Sequence, residues 1–403
     1  MLTRLKNGQD FSLGPKLIPS AAQPPTISNT AFARRILSVL GLLFVFFLGV
    51  KGLGEGFRLF GEDIITTFFA ATENPFIGLV VGLLATTLVQ SSSVTTAMIV
   101  GLVAAPENPL PLANAIPMIM GANIGTTVTA TIVSLAHIGR RDEFERAFPV
   151  AVCHDVFNYL AVLILLPLEM TTGYLRRLAG ACSAFLSGVG GLEYQSPLRE
   201  TVSLGFAPVI ALAETLFSGD GIRSLFLIAV GGFFIFCSLF LFVKVMRSAM
   251  HSRVERVLNS VLGSRAVVLI PVGVLVTVMV QSSSITTSLL VPLGGAGLLK
   301  LEQAFPITIG ANIGTTVTAL LAALAVSGPN AGAGLEIALV HLFFNLSGLL
   351  IIYPVQMIRR VPLRLSRGLS RLALRSRRLT VLWIVLIFYG LPALCIAVSR
   401  FIQ

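Results

Sequence analysis

Uninterrupted apolar segments along the chain predict membrane-spanning α-helices. A bilayer core is crossed by ~20 predominantly apolar residues in helical conformation. The segments that have the pattern of ordinary spanning helices are 36–50, 148–168, 222–246, 337–355 and 379–399.

Other apolar stretches are interrupted by polar residues. Four of them contain no Asp, Glu, Lys, Arg or His: 74–106, 108–136, 266–299 and 303–335. Lipid cannot hydrogen-bond the backbone groups that a break in a helix exposes, so such breaks have to line a cavity enclosed by protein. The pattern predicts an all-α polytopic membrane protein whose broken transmembrane helices surround a functional site.

The composition narrows the class of protein. A soluble domain has about 25% charged residues, whereas this chain of 403 residues has 12% charged and 55% hydrophobic residues. A water-soluble enzyme and a nucleic-acid-binding domain are thereby excluded. The net charge of the chain is +11. In a membrane protein, an excess of Lys and Arg marks cytoplasmic loops and contacts with anionic lipid headgroups. We expect a multi-pass protein in a lipid bilayer, either a plasma membrane or a bacterial inner membrane, and we predict no nucleic acid or protein partner.

An internal duplication is visible in two long motifs. Val89–Thr96 (VQSSSVTT) recurs as Val280–Thr287 (VQSSSITT), and Gly121–Ala130 (GANIGTTVTA) recurs unchanged as Gly310–Ala319. The offsets are 191 and 189 residues, so the motifs keep their order and spacing. Duplicated halves that each carry broken hydrophobic segments indicate a secondary transporter with a substrate site between the halves, near the membrane midplane.

The duplication and the charges divide the chain into segments. The tail before 36–50 is basic and basic residues follow 222–246, so the first helices of the repeats are expected to run in opposite directions, as in inverted-topology repeats. The predicted segments are a cytoplasmic N-terminal tail (1–35), transmembrane repeat 1 (36–170), an extramembrane connector loop (171–221), transmembrane repeat 2 (222–357), and a basic segment with a final transmembrane helix (358–403).

The paired Gln-Ser-Ser-Ser motifs predict an oxyanion site. Serine is favoured at helix N-caps, and a helix N-terminus presents free N–H groups and the positive end of its dipole. Two such turns facing each other would offer two helix N-termini, two glutamine amides and six hydroxyls to a tetrahedral anion, without a Lys or Arg in these spans. The alternative is that the serines allow close helix packing in lipid.

The GANIGTTVTA runs predict a cation site. Asn123 and Asn312 carry amide oxygens, and a broken helix frees main-chain carbonyls. Such neutral oxygens suit a hard monovalent cation. The alternative is glycine-mediated helix packing with threonines that bond to their own turn. The hydroxyls at i, i+3 spacing belong to Thr126, Thr129, Thr315 and Thr318.

Asp155 breaks the symmetry of the duplication. It lies in a third matched motif, in which His154, Phe157 and Asn158 correspond to His341, Phe344 and Asn345, but its counterpart is Leu342. A carboxylate in an apolar helix is expensive and marks a functional site by default. Asp155 could bind a cation or carry a proton, or it could pair with Arg141 or Arg146.

These motifs, over about residues 75–357, resemble those of the type II sodium-dependent phosphate cotransporters. The resemblance implies sodium-coupled import of inorganic phosphate, with facing re-entrant hairpins at the QSSS motifs and sodium ions beside them. Asp155 matches the aspartate that accompanies electrogenic members of the family, so the resemblance implies electrogenic symport by alternating access. Phosphate is largely divalent at neutral pH, so two sodium ions would give an electroneutral cycle, and we expect Asp155 to hold a third.

The resemblance assigns residues position by position. Two departures are His137, where animal members have a glutamine, and the short connector, which lacks an Asn-x-Ser/Thr acceptor. The positions implied for phosphate are Gln90, Ser91, Ser92, Ser93, Gln281, Ser282, Ser283 and Ser284. Those implied for sodium are Gln281, Asn312, Thr315 and Thr318, together with Asp155 and Asn158. From the chemistry of the first GANIGTTVTA run we add Asn123 as a phosphate contact and Thr126 and Thr129 as sodium ligands.

Three other functions are compatible with parts of the pattern. An intramembrane serine hydrolase could use a QSSS serine with His154 and Asp155, but no GxSxG turn surrounds these serines and one nucleophile does not need duplication. An ion channel would share the duplication but not the coupling. A sodium-coupled carrier of another oxyanion, such as sulfate, would share the geometry of the site.

Overall fold

The computed structural model describes residues 29–59, 70–106, 108–190, 199–260, 264–326, 328–394 and 397. The predicted tail, up to residue 28, lies outside the described residues. Regular structure within them is helical, and they contain no β-strand. The helices are α1 (Asn29–Leu59), α2 (Pro75–Val89), α3 (Ser92–Val103), α4 (Leu112–Gly125), α5 (Val128–Leu135), α6 (Arg141–Thr172), α7 (Tyr174–Gly190), α8 (Arg199–Leu216), α9 (Asp220–Ser260), α10 (Ala266–Val280), α11 (Ser283–Gly295), α12 (Leu301–Ala325), α13 (Ala331–Ile352), α14 (Gln356–Ala373) and α15 (Arg377–Val385), which continues into a π-helical turn (Leu386–Gly390).

Six helical segments in the described part of the chain are long and apolar enough to cross a membrane. They confirm apolar helices at the predicted spans 36–50, 148–168, 222–246 and 337–355. The predicted span 379–399 corresponds to a shorter apolar helix, Thr380–Leu394, so a final transmembrane helix stays a prediction. The six segments are Leu37–Gly56, Leu112–Leu135, Arg141–Thr172, Asp220–Leu241, Leu301–Ala325 and Ala331–Ile352.

Each Gln-Ser-Ser-Ser motif forms the turn between two helices, α2 and α3 in the first half and α10 and α11 in the second. Gln90 and Gln281 end the incoming helices in the left-handed region, with φ of 57° and 56°. Ser91 and Ser282 cap the outgoing helices, and each side chain accepts a 3.3 Å hydrogen bond from the backbone N–H three residues later. The predicted helix–turn–helix is confirmed, whereas its re-entrant placement in a membrane stays a prediction.

Glycine contacts repeat in the two halves. α2 packs against α4, and α10 packs against α12. A Cβ on Gly82 would overlap the carbonyl oxygen of Met118. In the second half, a Cβ on Gly273 would overlap the carbonyl oxygen of Ile307, and Ile307 is the counterpart of Met118 at the 189-residue offset. Side chains at these positions would push the helices apart, so the duplicated sequence encodes a duplicated helix contact.

The identical GANIGTTVTA runs adopt two conformations. In the first half the helix is interrupted by a turn at Thr126 and Thr127, where Thr127 N–H bonds to the Ile124 carbonyl. In the second half the run lies inside the continuous helix α12. The predicted break is therefore confirmed in the first copy and wrong in the second. Because the ten residues are identical, their surroundings cause the difference.

The two halves interlock. Their first helices, α1 and α9, pack against each other so closely that a Cβ on Gly49 would lie 2.7 Å from the Gly231 carbonyl oxygen. The hydroxyl of Ser224 donates a 2.6 Å hydrogen bond to the carbonyl of Gly56 across this contact. Further on, α3 of the first half packs on α12, and α11 of the second half packs on α6. Each QSSS hairpin is thus supported by the opposite half.

The connector is largely helical, which corrects the expectation of a loop. α7 and α8 occupy most of 171–221, and residues 191–198 lie outside the described part. Helix α7 packs on α13, and α8 packs on α1. The polar residues of the connector are compatible with helices because each helix buries one face, for example with Phe206 fully buried. The extramembrane position of the connector stays a prediction.

Candidate functional site

One cavity joins the two QSSS turns. Its volume is about 700 Å³. The repeated hairpins bring their turns to the same space because each one packs on the opposite half. The polar residues that line the cavity are Gln90, Ser91, Ser93 and Thr129 from the first half, and Gln281, Ser282, Ser284 and Ser288 from the second.

Two helix N-termini meet at this cavity. Helices α3 and α11 begin directly after the capping residues Ser91 and Ser282. The first N–H groups of a helix have no acceptor within it, and they carry the positive end of the helix dipole. The cavity therefore has the polarity that an oxyanion requires.

The glutamine side chains are fixed in the same way in both turns. Thr129 Oγ1 donates a 3.0 Å hydrogen bond to Oε1 of Gln90, and Thr318 Oγ1 donates a 3.0 Å bond to Oε1 of Gln281. The amide nitrogens donate to the backbone carbonyls of Thr87 and of Val278, its counterpart. An amide nitrogen has two N–H groups, so each glutamine keeps a second donor.

Three residues predicted for phosphate lie elsewhere. Ser92 and Ser283 are buried, with 5% and 2% of their surfaces exposed, and are not among the lining residues of the cavity. In the first turn of a helix, consecutive side chains point in directions about 100° apart, so only the flanking serines face the cavity. Asn123 is also buried, and its amide donates a 3.0 Å hydrogen bond to the carbonyl of Ile119. The cavity thus has four QSSS hydroxyls instead of the six expected.

Lys244 also lines the cavity, which corrects the expectation of a site without a basic residue. It extends from α9 on the same helix face as Phe236 and Phe240, which line the same wall at i, i+4, i+8 spacing. That spacing is the signal in the sequence that puts Lys244 on the same helix face as the two phenylalanines. Its ammonium group brings a positive charge to the cavity.

Ser288 was likewise missed by the sequence analysis. Its hydroxyl is buried and has no hydrogen-bond partner among the described residues, and it lines the cavity five residues after Ser283, the first residue of α11. The matching position in the first half is Ala97. A buried hydroxyl without a partner is unfavourable. A hydrogen bond from Ser288 to a molecule in the cavity would remove this cost.

The residues predicted for sodium separate into groups. Thr318 contacts Gln281 beside the cavity, and Thr129 contacts Gln90 in the matching place. The hydroxyls of Thr126 and Thr315 bond to carbonyls of their own helices, those of Ala122 and Ala311. The helix-internal alternative therefore describes these two threonines, whereas Thr129 and Thr318 act between elements.

Asn312 and Asn158 lie together in a buried network that crosses between the halves. Nε2 of His154 lies 2.7 Å from Oδ1 of Asn312, whose Nδ2 donates to Oδ1 of Asn158 at 2.7 Å. Asn158 in turn donates a 2.7 Å hydrogen bond to the main-chain carbonyl of Asn123, just before the interruption of the first GANIGTTVTA run. We expected a helix break to free a main-chain carbonyl from its helical hydrogen bond. The carbonyl of Asn123 is in that position, and it accepts a hydrogen bond from the side-chain amide of Asn158.

Asp155 binds Thr131, and the described residues contain no ion pair between Asp155 and an arginine. Thr131 Oγ1 lies 3.0 Å and 3.3 Å from the two carboxylate oxygens, and Asp155 is almost fully buried. Arg146, one partner considered from the sequence, donates instead to the carbonyl of Gly295 at 2.9 Å. The sequence analysis did not identify Thr131. A signal was present, because Thr131 and Asp155 are both polar where their counterparts in the second half, Leu320 and Leu342, are apolar.

His137 lies apart from these groups. Its Nδ1 is 3.0 Å from a carboxylate oxygen of Glu143, which also pairs with Arg140 at 2.8 Å. His137 is not among the lining residues of the cavity. The departure at this position therefore leaves the contacts of Gln90 and Gln281 intact.

Comparison with known proteins identifies the family. The chain is 34% identical to the sodium-dependent phosphate transport protein 2A of Rattus norvegicus over 90% of this chain and 67% of the relative. It is 33% identical to the 2A protein of Mus musculus, over 98% and 72%, and 32% identical to the 2B protein of Homo sapiens, over 89% and 64%. No solved structure matches the chain. Residues 45–190 and 233–394 match the Na+/Pi-cotransporter family, and the chain belongs to that family.

Proposed function

We propose that this protein imports inorganic phosphate together with sodium ions, and that the cavity between the two QSSS turns binds the phosphate. The relatives are named as sodium-dependent phosphate transport proteins. The observation that carries the assignment of the site is the convergence of both duplicated turns on one cavity. The protein is thus a transporter and not an enzyme.

The lining of the cavity supports phosphate as the anion. Ser91, Ser93, Ser282 and Ser284 can donate to phosphate oxygens and accept from its hydroxyl groups. Phosphate keeps a proton at neutral pH and sulfate does not, so hydroxyls that both donate and accept favour phosphate. Lys244 adds a charge that attracts the anion into the cavity.

The neutral oxygens around Gln281 and Thr318 support a sodium site beside the phosphate. Ser93 lines the cavity and also bonds to Thr318, so a hydrogen bond between these two side chains links the anion site to the cation site. A sodium ion there would lower the free energy of binding the anion, and the anion would do the same for sodium. Mutual stabilisation of this kind is the basis of symport.

The membrane arrangement follows from the duplication. We propose inverted repeats with the hairpins entering the membrane from opposite sides, so that rocking of one half against the other exposes the cavity alternately. The basic residues after 222–246 and in 359–378 are assigned to the cytoplasmic side of a plasma or bacterial inner membrane.

Uptake into proteoliposomes tests the function. Radiolabelled phosphate should accumulate when sodium is outside and should not accumulate when potassium replaces it. Excess sulfate should leave the uptake unchanged. Equal uptake in both cations would contradict sodium coupling, and inhibition by sulfate would indicate a carrier of a broader class of oxyanions.

A further inference from the structure

Helix α14 has one face against the protein and two exposed faces of different chemistry. Its buried residues pack on α6. One exposed face is basic and is formed by Arg360, Arg364, Arg367 and Arg371 at i, i+4, i+7, i+11 spacing. The other is apolar and includes Met357, Leu365 and Leu372, which are 82%, 51% and 46% exposed.

This division is typical of a helix that lies in a membrane interface. Such helices place arginines at the headgroups and apolar side chains in the acyl boundary. A water-exposed helix would not gain from Met357 and Leu365 at the surface, whereas a helix that crosses the bilayer would not tolerate four arginines on one face. α14 is therefore expected to lie along the boundary, held laterally by α6.

A cavity of about 440 Å³ lies beside the basic face. It is lined by four arginines, Arg359, Arg360, Arg364 and Arg367, and among its described lining residues Glu302 is the acid. Arg367 forms an ion pair with Glu302. The charge of the lining is thus 4 − 1 = +3.

The cavity also has an apolar wall. Phe305 and Tyr353 line it and lie with ring centroids 5.7 Å apart, and the guanidinium of Arg359 lies 5.1 Å from the centroid of the Tyr353 ring. This cation–π contact holds the guanidinium at the wall of the cavity. A planar guanidinium matches the oxygens of a phosphate group in pairs.

We propose that this cavity binds the phosphate-bearing headgroup of an anionic phospholipid. The arginines would contact the headgroup, and the acyl chains would lie along Met357, Leu365 and Leu372. Glu302 stands in the first turn of α12, the helix that carries Asn312 and Thr318. A lipid in this place would therefore brace α14 against the start of a helix that belongs to the candidate transport site.

Free inorganic phosphate has the same charged group, but it would gain nothing from the exposed apolar face. The amphipathic pattern of α14 favours the lipid, because the two kinds of contact occur side by side on one helix. The proposal does not rest on phosphate transport, since it concerns a cavity with none of the residues of the QSSS turns.

Lipid retention by the purified full-length protein tests the proposal. Native mass spectrometry in neutral detergent should show retained phosphatidylglycerol and little phosphatidylcholine at equal concentrations. Ten millimolar inorganic phosphate (on the order of cellular levels) should not displace the lipid, and high salt should weaken its binding. Equal retention of both lipids would overturn the proposal, and displacement by inorganic phosphate would show a site for the free anion.

Paired variants locate the site. Arg360→Gln/Arg364→Gln should weaken phosphatidylglycerol binding roughly thirtyfold, from the contribution of two arginines at a membrane surface. The matched control, Arg375→Gln/Arg378→Gln, removes the same charge from exposed positions that do not line the cavity and should retain the lipid. Equal losses in both variants would overturn the location. The comparison of lipids with the wild-type protein decides the proposal even if a variant does not fold.

Discussion

Ser93 donates a 3.4 Å hydrogen bond to Oγ1 of Thr318, although the two residues are separated by 225 positions and belong to different halves. Thr318 passes the contact on by donating to Gln281, in the turn of the other hairpin. The described residues contain no corresponding bond between Ser284 and Thr129. The first hairpin therefore bonds to the threonine of the second half, but the second hairpin does not bond to the threonine of the first. This asymmetry leads to a prediction about sodium.

Thr318→Val should raise the sodium concentration needed for half-maximal phosphate uptake. The substitution keeps the shape of the side chain but removes the oxygen between Ser93 and Gln281. We expect at least a tenfold rise, since a lost contact to a charged group contributes about 1.5–3 kcal/mol. Sodium activation curves in proteoliposomes measure this effect.

Thr129→Val is the matched control, because Thr129 makes the same contact to Gln90 but is not bonded to a serine of the opposite hairpin. It should change the sodium requirement less than Thr318→Val does. The same shift in both variants would contradict a sodium site that is specific to the second half.

Substitution of the cavity serines should separate binding from helix packing. Ser93→Ala/Ser284→Ala removes two hydroxyls from the cavity and should raise the KM for phosphate by tenfold or more. Ser92→Ala/Ser283→Ala changes the buried neighbours and should leave KM within about threefold of wild type, because the smaller side chains fit and add no polar group. A larger KM effect from the second pair would refute the assignment of the cavity serines.

Lys244→Gln should slow phosphate capture. Its charge lies at the cavity wall, so we expect kcat/KM to fall severalfold and to become less dependent on ionic strength. Lys244→Arg keeps the charge and should retain most of the activity. Lys300→Gln, which removes an exposed lysine outside this cavity, serves as a control for net charge. Undiminished capture by Lys244→Gln over a range of salt concentrations would exclude a role in attraction.

The duplicated hairpin contact could be predicted from the sequence because it depends on matched positions. Glycines at offsets of 191 and 189 residues mark the same close helix approach twice, and capping serines fix where each helix begins. Local chemistry and repetition are both properties of the sequence.

The separation of the serines and the position of Lys244 could not be predicted, because they depend on how each helix is rotated about its axis in the bundle. Identical GANIGTTVTA runs that fold differently make the same point. The first is followed by Thr131, which bonds to Asp155, and the second by Leu320. Contacts outside the motif thus decide its conformation.

Gly82→Ala should destabilise the protein. The new methyl group would overlap the Met118 carbonyl, and relief of such overlap costs about 1–3 kcal/mol. Thermal unfolding followed by size-exclusion chromatography should show a midpoint lower by several degrees. Gly41→Ala, where nothing lies within 4 Å of the added Cβ, should be neutral or slightly stabilising. Similar midpoints for the two variants would show that the helices separate easily at Gly82.

Asp155 should set the charge that is moved in each transport cycle. Divalent phosphate with two sodium ions carries no net charge, and a third sodium ion makes the cycle electrogenic. The carboxylate of Asp155 is buried beside Thr131. The matching residues of the second half are Leu342 and Leu320, so at this position the second half has no anionic ligand. A buried negative charge would offset the desolvation of the extra cation.

Asp155→Asn should therefore abolish the effect of voltage on uptake while retaining some phosphate transport at a lower sodium requirement. Moving one charge through 100 mV changes the free energy by about 2.3 kcal/mol, so wild-type uptake should accelerate clearly when valinomycin and potassium set a negative interior. Thr131→Val removes the hydrogen bond but leaves the carboxylate, and it should stay voltage-dependent. If Asp155→Asn kept the voltage dependence of the wild type, the carboxylate would only brace α6 against α5, and the extra sodium ion would have to bind elsewhere.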